Sequence, residues 1–169
     1  SMVRERLLDA VRVRLVSDVP LGAFLSGGLD SSSVVMLMRA ATGGPIRTCS
    51  MVFAEAEYSE APYARAVAEA AGAEHFERVI SAQDVLAELD AILASLDQPS
   101  VDGVNTYFVA QTARQAGLTV ALSGLGGDEL FGGYPNTFVQ AFQVQRALRL
   151  TQAMPGGRRA AQAAIGLLP

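Results

Sequence analysis

The chain has 169 residues, 50% of them hydrophobic and 18% charged, with a net charge of −4. That balance suits one globular α/β or α domain with its own core and argues against disorder. One cysteine, Cys49, excludes a disulfide framework and a thiolate zinc site, and no basic cluster beyond Arg158 and Arg159 supports phosphate-driven binding of nucleic acid.

Val3, Leu7, Val11 and Leu15 recur at every fourth position and predict an amphipathic helix that ends at Asp18-Val19-Pro20. This start is too charged for a signal peptide. No apolar run reaches the ~18 residues of a membrane span. With the lone thiol, the expected setting is the reducing cytoplasm. "LGAFL" (21–25) is a short continuous apolar run, as in a strand buried on both faces. "SSVVMLMRAA" then predicts a helix stopped by Gly43-Gly44-Pro45, and "RTCSMVF" (47–53) a second strand. Ser59 is the expected cap of a helix that ends at Gly72.

"EHFERVI" (74–80) alternates and predicts a third strand, near an edge. Ser81, with Asp84 three residues on, opens a helix expected to run through Leu96. Residues 98–105 read as a loop, 106–116 as a helix, and "LTVAL" (118–122) as a fourth strand. Two helical segments follow Pro135, split by Pro155-Gly156-Gly157, and "GLLP" closes the chain in mid-pattern, as in a piece of something longer. Strands alternating with helices predict an α/β fold, a doubly wound parallel sheet with helices on both faces, truncated at its C-terminus.

Two glycine loops interrupt this pattern. "FLSGGLDSSS" (24–33) joins the first strand to a helix, and "SGLGGDELFGG" (123–133) follows the fourth strand. Free amides at a helix start, with no Cβ in the way, make an anion site, to which Ser31, Ser32 and Ser33 add hydroxyls. The first loop is neither a Walker A loop, which needs a lysine this chain lacks, nor G-x-G-x-x-G. A plain Gly/Ser turn capping a helix is the alternative. Ligands of parallel sheets bind where strand order reverses. With the order 3-2-1-4, Asp30 and Asp128 would face each other across the crevice. Two carboxylates beside a phosphate cradle suit Mg²⁺; two helix N-caps are the competing reading.

"SDVPLGAFLSGGLDSSSV" with "ALSGLGGDELFGGY" resembles the ATP-using synthetase domain of the asparagine synthetase family, which includes the β-lactam synthetases, within the PP-loop or N-type ATP pyrophosphatases. The resemblance runs over about residues 5–140, and residues 1–169 read as one partial synthetase domain without the glutaminase domain. It implies an adenine nucleotide alpha hydrolase-like fold and an amide-forming ligase. Such a ligase activates a small, aspartate-like carboxylate as an acyl-adenylate, releases pyrophosphate, and admits ammonia or an amine. The resemblance assigns pyrophosphate to Ser26, Gly27, Gly28, Asp30, Ser31 and Ser32, and Mg²⁺ to Asp30 and Asp128. It assigns adenosine to Phe24, Met51, Ser123 and Gly124, and a place in the active site to Glu60.

Two departures accompany the match. Leu125 stands where the family carries a glutamate tied to amide formation, and the family's downstream lysine has no counterpart here. No catalytic residue is therefore assigned. A nucleotide-binding module without catalysis, or another PP-loop activity such as tRNA thiolation or NAD synthesis, is the alternative. The acceptor, the nitrogen donor and homo-oligomerisation stay open. His75, the one histidine, reads as an ordinary edge residue, and Met36 and Met38 as core.

Overall fold

A computed structural model describes residues 2–54, 60–98 and 100–134, with positions 142, 143, 145, 146 and 149. Ser59, the glycine-proline break at 155–157 and Arg158 and Arg159 lie outside the described residues. The chain divides into two compact units, Ser1–Leu125 and Gly126–Pro169.

In the first unit, β1 (Leu21–Phe24), β2 (Ile46–Phe53), β3 (Ala73–Ile80) and β4 (Val120–Leu122) form a parallel sheet in the order β3-β2-β1-β4. This is the order that the crevice reading of the two loops required. The chain steps outward from β1 to β2 to β3, then crosses back to pair β4 with the other side of β1. The reversal therefore falls between β1 and β4.

Both faces of the sheet are covered. On one face, α1 (Met2–Arg14), α2 (Leu29–Thr42) and α3 (Ala61–Ala71) enclose a core of Val11, Ala23, Leu25, Val35, Met38 and Ile46. Each fully buried Leu, Val or Met in such a core stabilises the fold by roughly 1.5–3 kcal/mol. Small residues set the spacing of α3. Ala61, Ala64, Ala68 and Ala71 form its buried stripe, so the helix backbone lies close to its neighbours. On the opposite face, α6 (Gly103–Gln115) packs Ala113 against Cys49, and Phe108 joins Ile80 and Ile92 with Met51 beside them.

Glycines end α2 and α3 as expected, Gly43 at φ 63° and Gly72 at φ 61°. Ser81 and Asp84 form a reciprocal capping box at the start of α4 (Ala82–Ala87). Four expectations need correction. The helix after Ser81 does not reach Leu96 unbroken: it stops at Glu88 and restarts as α5 (Leu89–Ser95). The Glu88 carboxylate is held by Tyr107 (3.0 Å) and Gln111 (2.9 Å) of α6, and tertiary bonding sets the break. Second, α6 begins at Gly103, where a Cβ would stand 2.8 Å from a Leu96 methyl. Third, β4 is only the last part of "LTVAL", since Leu118 turns into the core below α6. Fourth, Val3 is 53% exposed, because only the later part of α1, with Val11 and Leu15, meets the core. Among the described residues, no helix is long and apolar enough to cross a membrane.

In the second unit, α7 (Gly127–Phe131) follows Gly126 and ends at Gly132, where Gly132 and Gly133 both donate to the Asp128 carbonyl.

Candidate functional site

The first loop leaves β1 in the middle of the sheet and enters α2 through Gly28. This N-cap has extended geometry (φ −68°, ψ 164°) and no side-chain cap. The first amides of a helix have no intrahelical acceptor, so the uncapped start of α2 points open donors and a positive partial charge outward. Asp30 is the second helical residue, not the cap. Asp128 is likewise second in α7, whose N-cap is Gly126, again without a side-chain cap. The N-cap reading of the two aspartates therefore fails.

The loop is braced from within. Ser31 is buried; its Oγ donates to the Gly28 carbonyl (3.2 Å) and accepts from the Ser26 amide (3.3 Å). With that proton committed, Ser26 Oγ is the donor in its 3.0 Å bond to Ser31 Oγ, and it accepts in turn from the Gly28 amide (3.2 Å). Ser32 Oγ is buried without a partner among the described residues. Such an orphan hydroxyl is costly unless a ligand or water answers it.

Two neighbours press on the loop, and glycine admits both. Gly27 has φ +89°, and a Cβ on it would stand 2.7 Å from the Ala64 amide nitrogen and 3.0 Å from the Glu60 carbonyl oxygen. The start of α3 thus lies against the loop and brings the backbone of Glu60 to it. From the other side comes Gly124, just after β4, whose Cβ would stand 2.7 Å from the Ser31 nitrogen. Ser123 Oγ accepts from the Leu125 amide (3.1 Å) and shapes this turn, while Leu125 is 90% exposed.

Beside the loop opens a pocket with a cavity volume of about 80 Å³, lined by Phe24, Ser26, Ser50, Met51, Val109 and Thr112, with Leu25 and Cys49. Phe24 and Met51, two of the residues expected at adenosine, share it; Ser123 and Gly124 do not line it. Its mixture of an aromatic ring, aliphatic walls and a few hydroxyls suits a flat heteroaromatic ring. Ser50 and Thr112 escaped the sequence reading. For Ser50 the available signal was polar Thr48 and Ser50 at buried positions of a strand whose other buried residues, Ile46 and Cys49, are apolar. Burial raises the Cys49 thiol to about 11, so it is no nucleophile at neutral pH. In the second unit, the Asp128 carboxylate lies where any side chain at Gly133 would collide with it. Among the described residues, no three His, Cys, Asp or Glu side chains gather as a metal site.

A sequence model of the asparagine synthase family matches residues 2–166. The chain belongs to the asparagine synthase family. Within that family it is 42% identical over 134 residues to asparagine synthetase [glutamine-hydrolyzing] 1 of Bacillus subtilis, covering 78% of this chain and 21% of that protein. It is 44% identical over 134 residues to putative asparagine synthetase [glutamine-hydrolyzing] 2 of Methanocaldococcus jannaschii, covering 78% of this chain and 26% of that protein. The chain therefore spans about a fifth to a quarter of the length of these relatives. In structure it resembles the NH3-dependent NAD synthetase of Campylobacter jejuni, with a TM-score of 0.51 at 16% identity over 78% of this chain and 59% of that one. The shared fold is the PP-loop, adenine nucleotide alpha hydrolase-like sheet.

Proposed function

We propose that residues 1–169 are the nucleotide-binding part of a synthetase domain in an ATP-dependent, amide-forming ligase of the asparagine synthetase type. The observation that carries this reading is the uncapped start of α2 at the strand reversal, pressed by Gly124 and flanked by the Phe24–Met51 pocket. ATP places its base in the pocket and its phosphates at Ser26, Gly27, Gly28 and the first amides of α2. The buried Ser32 hydroxyl turns to a phosphate oxygen. Asp30 is a ligand for Mg²⁺, and we assign the same role to Asp128 from its equal position in α7. Mg²⁺ held there would supply positive charge to offset that of the leaving pyrophosphate; the chain's own part is to hold the phosphates in line and exclude water. Ser123 and Gly124 meet the adenosine through backbone, and Glu60 shapes the loop through its carbonyl.

The acceptor is a small carboxylate, activated as an acyl-adenylate and attacked by ammonia or an amine, in the cytoplasm. Leu125 favours a second reading, a nucleotide-binding module that performs no amide transfer, because a leucine side chain neither carries charge nor moves a proton.

Calorimetric titration of ATP, with and without Mg²⁺, tests the site in the wild-type chain and in Asp30→Ala and Asp128→Ala. Magnesium-dependent binding that both variants weaken is the expected result; binding indifferent to metal and to both variants overturns the assignment. ATP–pyrophosphate exchange in a chain extended to the length of its relatives separates ligase from module.

A further inference from the structure

Behind the first loop, on the α3 side of the sheet, lies a polar network of Thr48, Ser50 and His75, of which only Ser50 also lines the pocket. Thr48 and Ser50 of β2 are buried at 1% and 6% exposure, and His75 of β3 pairs in register with Thr48. Ser50 Oγ donates to the carbonyl of Leu25, the residue immediately before Ser26. It also lies 3.3 Å from His75 Nε2, while His75 Nδ1 lies 2.8 Å from Thr48 Oγ1.

Counting protons determines the direction of each bond. A serine hydroxyl has one proton, and that of Ser50 goes to Leu25, so toward His75 its oxygen is the acceptor. His75 must therefore carry its proton on Nε2. Nδ1 is then a bare acceptor, matched by the Thr48 hydroxyl as donor. Burial favours the same neutral ring: it holds the imidazole below its ordinary value of 6.5, more than nearby Glu77 raises it, and Arg65 of α3 adds to the lowering. The chain of bonds Thr48→His75→Ser50→Leu25 ends one peptide from the phosphate loop.

We propose that His75 is a positioning residue for that loop: its Nε2 proton orients Ser50, which holds the Leu25 carbonyl and so sets where Ser26 and Gly27 leave the sheet. The consequence for ligand binding rests on the nucleotide-binding reading above; the consequence for the order of the loop does not.

Three measurements on the 169-residue chain test it. Imidazole nitrogen NMR should show the Nε2–H tautomer at neutral pH; the Nδ1–H tautomer overturns the network. Hydrogen exchange without ligand reads the amides of Ser26 and Gly28, which are hydrogen-bonded within the loop. Ser50→Ala and His75→Leu should speed their exchange about tenfold, the equivalent of one lost hydrogen bond, while distant amides of α4 keep their rates. His75→Gln, which restores a donor near Nε2, should return the loop to wild-type exchange. The same variants titrated with ATP should follow that order, with about tenfold weaker binding for Ser50→Ala and His75→Leu. Wild-type chain that fails to bind ATP defeats the nucleotide reading and leaves exchange to decide the positioning role. Chain that binds ATP equally in all variants, with unchanged loop exchange, overturns the positioning role alone. Failure of His75→Gln to restore either readout also overturns it, because the donor would not be what matters.

Discussion

Gly124 sits so close to Ser31 that a Cβ on it would stand 2.7 Å from the Ser31 nitrogen and 2.9 Å from the Asp30 carbonyl carbon. Both are backbone atoms in the first turn of α2, and neither yields without moving the helix. Gly124→Ala should therefore cost about 1–3 kcal/mol of stability, the usual penalty of overpacking. It should also reduce ATP affinity by more than Gly117→Ala, whose site has φ +72° but no neighbour within 4 Å. Thermal melting and calorimetry of the two variants side by side check this. Equal affinity in both would show that the contact has no bearing on the ligand.

Gly28 supports a prediction of the opposite sign for stability. Its φ of −68° and ψ of 164° suit serine, and a Cβ there meets only Ser26 Oγ at 3.3 Å. Gly28→Ser supplies the missing cap, and the chain should gain a few tenths of a kcal/mol. The serine oxygen then occupies the amides that the proposed phosphate needs, so ATP binding should weaken. A variant that melts higher and binds less tightly is the expected outcome, read by calorimetry and thermal melting.

Cys49 offers a probe of opening. Its thiol is 1% exposed and raised to about 11 from an ordinary 9.0, so little thiolate exists at pH 8 in the native chain. Reaction with a disulfide reagent should be slow in buffer and fast in denaturant. Because Cys49 lines the pocket, ATP should slow the reaction further. Rapid labelling of folded protein would mean that β2 is accessible from the pocket floor.

Stability should fall through two contributions as pH drops. The His75 ring titrates below its ordinary 6.5 in the folded chain, so the unfolded chain takes up the proton first. Stability is then complete above 6.5, declines as pH falls toward the folded value, and levels off below it. Glu77 is held below its ordinary 4.5 by its hydrogen bonds to Arg65, and its contribution, present above 4.5, is lost as pH falls through the lower folded value. Urea midpoints measured from pH 7.5 downward should show both losses, and His75→Gln should abolish the one contributed by the imidazole.

Glu88 shows the limit of reading sequence. Local signals, the capping box at Ser81 and glycines after α2 and α3, placed those element ends correctly, because capping is settled by neighbours in the chain. The strand order was legible from the two loops, since a parallel sheet with a ligand crevice has few ways to be wound. The break at Glu88 had no local cue. Helical periodicity runs on through it, and the interruption comes from Tyr107 and Gln111 of α6 and from Arg78 of β3, all remote in sequence. Glu88→Ala leaves those groups partly unanswered and should cost about 1–3 kcal/mol; urea titration gives the value. The hydroxyls of the first loop mark the same boundary. Composition suggested donors for phosphate, whereas Ser31 spends its proton on Gly28.

β4 is joined to the sheet through three residue pairs with β1, whereas β2 and β3 are matched over eight. An edge strand so lightly attached detaches more easily than β3, the opposite edge. Its amides should exchange well before those of β2, and each detachment withdraws Ser123 and Gly124 from α2. The affinity measured for any ligand that needs both loops is then the intrinsic affinity scaled by the fraction of time β4 is docked. Whatever clamps β4 from outside this segment becomes, in effect, a regulator of nucleotide binding without touching the nucleotide.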